Sequence, residues 1–177
     1  MKDINFFEIG PDTILLGNDK GSQMYLQEQP RHEVSIRSRF KISECITKAQ
    51  WAKIMSQDVE DEFTSEKYQE PADGISANEI DEFFKKLNDM NQQKNGFYRL
   101  PSEAEWEMAY SKMKSDFVMP SQGEIIADTP YPNYWGAPCD GRPRIDTSRS
   151  QESQFKKTHF LVDFKCEAFN IALHFAA

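Results

Sequence analysis

The stretch Gly96-Phe97-Tyr98-Arg99-Leu100-Pro101-Ser102-Glu103-Ala104-Glu105-Trp106-Glu107 reads as a short strand, a hard stop and the start of a helix. Phe97 to Leu100 is a β-competent run. Pro101 ends it, because proline has no N–H to give a strand ladder. Ser102 is placed to cap a helix, and the Glu105 side chain is placed to bond back to the Ser102 N–H. Trp106, Ala109 and Tyr110 then fall at i, i+3 and i+4, on one helical face. Arg99 is expected to be a half-buried partner of an acid, Glu105 or Glu44.

Working outward, two more capping boxes appear. Thr47-Lys48-Ala49-Gln50 opens a helix to about Met55 with Trp51 and Ile54 inward. Ser76-Ala77-Asn78-Glu79 opens another to about Met90, with Ile80, Phe83, Phe84 and Leu87 at helical spacing. At the N-terminal end, residues 4–10 and 13–17 are apolar runs separated by Pro11-Asp12, and a hairpin is the simplest reading. Residues 18–32 are polar and read as a loop. His32–Ile36 alternates as a strand, and Phe40–Ser43 continues the sheet after a bend at Arg37–Arg39. Residues 57–73 are acidic and irregular. From 119 to 153 the chain is rich in turn chemistry, with Pro120, Pro130, Pro132, Pro138 and Pro143, and regular structure is not expected. Ordered loops of that length are often functional. Thr158–Phe164 reads as a strand, and residues 166–177 as a closing strand or short helix.

Composition narrows the function classes. The length of 177 residues suits one domain with its own core, and 13 Phe and 3 Trp supply that core. A net charge of −8 argues against a nucleic-acid backbone as partner, since phosphate binding needs a basic surface. Three cysteines, at 45, 139 and 166, do not make a disulfide framework. Neither a signal-peptide h-region nor a spanning apolar run is visible, so a cytoplasmic, reducing setting is expected.

The opening stretch closely resembles the "YRLPTEAEWE" signature of the formylglycine-generating enzyme family, the sulfatase-modifying factors. Flanking features follow in the family's order. Ile14-Leu15-Leu16-Gly17 resembles its "F-x-M-G" entry, and Glu28-Gln29-Pro30-Arg31-His32-Glu33-Val34 its "E-x-P-x-H-x-V" segment. Glu44-Cys45-Ile46-Thr47-Lys48-Ala49-Gln50-Trp51 resembles "E-V-T-N-A-Q-Y/W". Pro71 with Gly74-Ile75-Ser76 resembles "P-V-x-x-V-S-W" without its Trp, and Asn133-Tyr134-Trp135-Gly136 resembles "A-N-x-W-G". The match runs over about residues 6–136, leaving 137–177 divergent, within a single domain spanning 1–177. Later, Cys139-x-x-Arg142-x-Arg144 is faintly similar to "C-R-x-A-x-R", and Phe160-Leu161-Val162 to a terminal "G-F-R-L-V" strand. The resemblance implies an α+β, irregular, loop-rich fold related to C-type lectins, with short antiparallel strands and two or three capped helices.

It also implies a chemistry that this chain supports poorly. The family's oxidases hold copper between paired cysteine thiolates, soft ligands suited to Cu(I). The "G-N-V-W-E-W" and "R-G-G-S-W" signatures and the cysteine pair that follows are absent. Cys139 and Cys166 are the late thiols left for such a role, at a spacing unlike the family's. His32, His159 and His174 show no iron-ligand spacing, and His32 is read as holding a loop to the sheet. Cys45 is read as core. Glu103, Glu105 and Glu107 are explained by the cap and the helix dipole. Family calcium sites near the "A-N-x-W-G" turn would draw here on Asn133, Asp140 and Asp146. The long loop carries Tyr131, Tyr134, Trp135, Arg142 and Arg144, aromatics and arginines of the kind found in recognition surfaces.

Two function classes follow. The first is a non-catalytic binding or structural module on a reduced formylglycine-generating-enzyme scaffold, recognising a protein or small ligand through loop 119–153. The second is a divergent oxidoreductase of the same family, using copper to oxidise a cysteine or thiol substrate. A partner subunit or second copy would be expected against the apolar tail, Phe169 to Phe175.

Overall fold

The computed structural model describes residues 4–19, 28–56, 66–90, 96–113 and 124–146, together with the backbone of 170–171 and 174–176. The Thr158–Phe164 strand read from sequence lies outside these residues, as do Cys166 and His159. Four early strands form two antiparallel pairs. β1 (Phe6–Ile9) pairs with β4 (Phe40–Ser43), and β2 (Asp12–Leu16) pairs with β3 (His32–Ile36). The expected hairpin between residues 4–10 and 13–17 does not form. Pro11 offers no N–H to close a tight turn, and β1 and β2 turn their polar edges to different partners. The β3–β4 bend likewise steps the chain from one sheet to the other. Ile9 lies opposite Phe40 and Asp12 opposite Ile36, so the Gly10-Pro11 and Arg37–Arg39 corners are neighbours.

The larger sheet has the order β1-β4-β8-β5, where β5 is Phe97–Arg99 and β8 is His174–Ala176. The tail is thus a closing strand, and it is central. β6 (Glu124–Ile125) and β7 (Asn170–Ile171) form a short parallel pair, so the proline-rich region does contain one strand.

All three caps form as the sequence implies. Gln50 N–H donates to Thr47 Oγ1 at 3.2 Å, and Gln50 Oε1 accepts the Thr47 N–H at 2.9 Å. Ser76 N–H reaches Glu79 Oε2 at 2.8 Å. Glu105 N–H donates to Ser102 Oγ at 3.1 Å, and Glu105 Oε2 accepts the Ser102 N–H at 2.8 Å. They start α1 (Lys48–Ser56), α2 (Ala77–Met90) and α3 (Glu103–Met113).

Alternation along β1 sends its two faces to two cores. Ile9 joins Val34, Ile42 and the α3 residues Trp106, Met108 and Ala109, whereas Phe6 packs with α1, α2 and Leu100. The second core is tied by Trp51 stacked on Phe83 at 4.4 Å between centroids. Asn88 of α2 holds β5 from the side, accepting the Tyr98 N–H at 2.7 Å and donating to the Tyr98 carbonyl at 2.9 Å. Helix α3 buries residues around much of its circumference, including the acid Glu105. Among the described residues no helix is long and apolar enough to cross a membrane.

Candidate functional site

Beyond the end of β6 the chain leaves regular structure and is pinned at intervals to α3 and the sheets. Ala127 N–H donates to the Pro101 carbonyl at 2.8 Å. Asp128 then bridges two segments. Its carboxylate accepts the Glu103 N–H, at the start of α3, and the Arg144 N–H, each at 2.8 Å. A carboxylate at a helix N-terminus is favoured by the dipole and by the free N–H groups there. Burial nevertheless dominates and pushes the Asp128 pKa up to about 6.

Arg144 closes the loop. Its guanidinium donates to the Asn133 carbonyl at 2.9 Å and the Trp135 carbonyl at 2.7 Å, and lies 3.5 Å from the Tyr131 ring centroid. The planar fork suits this: two donors fix two carbonyls while the face stacks on an aromatic ring. Asn133 Oδ1 accepts the Trp135 N–H at 3.0 Å, and Gly136 follows in the left-handed region at φ 72°. The Asn133 carbonyl and both backbone polar groups of Trp135 are thus held, while the Trp135 side chain is 72% exposed.

Tyr134 turns the other way. It is buried, and its hydroxyl donates to Glu103 Oε1 at 2.5 Å. Its ring meets His32 edge-on at 5.2 Å, and His32 Nδ1 lies 3.2 Å from the Pro30 carbonyl oxygen, in line with a loop-holding role. Glu103 and Glu107 sit in a region largely removed from water, near Glu28. Burial, opposed by the Tyr134 hydroxyl, raises the Glu103 pKa to about 6. Burial, then the charges of Glu103 and Glu28, raises that of Glu107 to about 7. Glu103 and Glu107 of α3 therefore do more than complement the helix dipole, and local sequence carried no sign of their partial burial.

Arg99 and Glu105 make the expected ion pair, with both terminal guanidinium nitrogens on the carboxylate at 2.7 and 2.9 Å. This pair floors an open groove of about 790 Å³, walled by the β3–β4 corner and by the Cys139–Pro143 turn. The turn is anchored by Ser35 N–H to the Cys139 carbonyl at 2.9 Å and by Ser102 Oγ to the Gly141 carbonyl at 2.6 Å. Gly141 has φ +81°, and a Cβ there would come within 2.5 Å of Ile36 Cγ1, so glycine lets the turn lie against the core.

The candidate metal ligands fall in different places. Cys45 donates its thiol to Glu124 Oε1 at 2.6 Å, and the Trp106 indole N–H donates to Glu124 Oε2. Burial and the Glu124 charge push the Cys45 thiol far above its ordinary range. Cys139 is exposed, and its thiol faces the Ala137 carbonyl at 3.7 Å. Asp140 is taken up by Arg142, with Nε at 3.0 Å from Oδ2, while the Asn133 side-chain oxygen serves the Trp135 N–H. The Asp146 N–H donates to Thr129 Oγ1 at 3.0 Å. Asn133 and Asp140 thus each direct side-chain oxygens at a local turn. Among the described residues no three His, Cys, Asp or Glu side chains are grouped to hold a metal.

Comparison with known proteins agrees with this architecture. The family model of the sulfatase-modifying factor enzyme 1-like domain matches residues 8–165. The fold is similar to that of PvdO from Pseudomonas aeruginosa, at 15% identity and a TM-score of 0.67, over 97% of this chain and 94% of that one. It is also similar to Treponema denticola variable protein 1, at 14% identity and a TM-score of 0.58, over 96% and 94%. At such identities the likeness shows the fold alone: α+β, with helices and short antiparallel strands. No curated protein matches the chain by sequence.

Proposed function

Because the chain belongs to the sulfatase-modifying factor enzyme 1-like family, we propose that it uses this scaffold as a non-catalytic binding module, presenting the loop from Ile126 to Asp146 to a protein or small ligand. The observation that carries this reading is Trp135, 72% exposed on a loop whose backbone is held by Arg144. A large aromatic side chain in water gains most when a partner covers it, and a loop already fixed loses little entropy on binding. Tyr131 and Arg144 flank it as a stacked pair. Tyr134, by contrast, is a core residue that supports the loop from beneath.

The hydrogen bond of Cys45 to Glu124 counts against that thiol as a copper ligand, while Cys166, one of the two late thiols, lies outside the described residues. Copper chemistry of the family's kind needs two thiolates at one place. Cys45 is held as a protonated donor to Glu124, and Cys139 lies on the exposed turn. The test is a photo-crosslinker installed in place of Trp135 in the full chain, exposed to an extract of the source cells. An adduct competed by unlabelled wild-type chain and not by the Trp135→Ala chain is expected. A complete absence of competed adducts would overturn the reading. Stoichiometric Cu(I) bound by the reduced chain and lost on Cys139→Ala would do the same.

A further inference from the structure

The groove between the β3–β4 corner and the Cys139–Pro143 turn has a charge that the rest of the chain does not. The molecule as a whole carries −8, yet the groove is lined by Arg37, Arg39, Arg99 and Arg142 against Glu105 and Asp140. The four guanidiniums are not equally committed. Arg99 is locked to the buried Glu105 and contributes a fixed field from the floor. Arg39 pairs with Glu8 and Arg142 with Asp140, both pairs well exposed and hence cheaply exchanged. Arg37, exposed at the lip, makes no hydrogen bond or ion pair with any described residue. Ser35 and Ser38 line the same wall, with the Ser35 hydroxyl already hydrogen-bonded to Thr13 Oγ1 at 2.9 Å.

The walls are also fixed in advance. The Cys139 carbonyl is tied to β3, the Gly141 carbonyl to the cap residue of α3, and the turn rests on Ile36. Cations held on such walls do not need to be gathered when a ligand arrives. Guanidinium forks match the paired oxygens of carboxylate and phosphate groups.

We propose that this groove is a binding site for a small oxyanionic ligand, a polycarboxylate or phosphate compound, contacted directly by Arg37 and Arg142 with Arg39 drawn from Glu8. The inference rests on the binding-module reading for its kind of role, and it names a second surface, separate from the exposed face of Trp135. The ligand's charge replaces Asp140 and Glu8 as the counter-charge of two arginines, and Arg99 adds attraction without leaving Glu105.

Calorimetric titration of the full chain with citrate, and separately with inorganic pyrophosphate, at constant ionic strength tests it. Saturable one-to-one binding of at least one anion is expected, and the preferred anion distinguishes a carboxylate from a phosphate ligand. Arg37→Gln and Arg142→Gln, exposed changes checked for folding by circular dichroism, should each weaken binding by about tenfold or more, the scale of one charge-assisted hydrogen bond. Arg31→Gln, an exposed arginine outside the groove, should bind as wild type. The proposal is overturned if neither anion saturates, if both groove variants bind as wild type, or if Arg31→Gln weakens binding as much as they do. Failure of the anion titration leaves a crosslinked adduct at position 135 untouched, so the two readings stand or fall separately.

Discussion

Glu103, Glu107 and Asp128 are carboxyl groups that the fold has partly taken out of water, and their titration is coupled to stability. Each has a folded-state pKa raised mainly by burial, to about 6, about 7 and about 6. A raised folded pKa means that the folded chain binds more protons than the unfolded one between the two values. Their contribution is therefore fully favourable below the unfolded carboxyl range and declines as pH rises toward 7. The carboxyls with lowered values, Asp12 and Glu79, act in the opposite sense at more acidic pH, outside that window. Urea unfolding should accordingly give a lower free energy at about pH 8 than at about pH 5, by on the order of 1–3 kcal/mol. Glu107→Gln should flatten that slope; an unchanged slope in the variant would place the titrating group elsewhere. The sequence shows these residues only as two acids early in a helix and a lone Asp, since burial comes from segments far away in the chain. Arg99 and Glu105 were easier to read because both partners lie in one motif.

At the level of elements, the three helix starts are legible because a cap is a local event, a side chain bonding to backbone one turn away. Strand pairing is not local, and alternation cannot say which edge meets which. That is why β1 and β2 look like a hairpin in sequence and separate into two sheets in the fold. The caps also differ in what else they hold. Ser76 is near the surface and bonds within its own box. Ser102 is 1% exposed, and its hydroxyl also donates to the Gly141 carbonyl. Ser76→Ala should cost about 1 kcal/mol, the ordinary value of a cap. Ser102→Ala should cost about 2–3 kcal/mol, because a buried carbonyl and a buried N–H both lose their partner. Ser102→Thr keeps the hydroxyl and should recover most of this in a thermal or urea melt. Equal losses at the two sites would mean that the Gly141 anchor is unimportant. The anchor itself was out of reach of sequence, since nothing in Ser102's neighbourhood names a turn 39 residues on.

Across the whole molecule, the late strand β8 lies between β4 and β5 and bonds to both. It joins two halves of one sheet that are otherwise not paired, and β7 adds a second late contact to β6. A chain lacking residues 170–177 should lose cooperative unfolding and most of its stability, seen as a broad, low-amplitude thermal transition by circular dichroism. A sharp transition near the full-length midpoint would show that the sheet closes without β8. The motif order reads the scaffold up to the Trp135 loop, but a three-residue central strand leaves no pattern long enough to place it. On a ribosome, β4 and β5 emerge about 75 or more residues before β8 does, so the edges that β8 fills wait unpaired over that interval. Closure of this sheet is therefore set by the arrival of β8, and until then those edges are where a chaperone, or another nascent copy, would take hold.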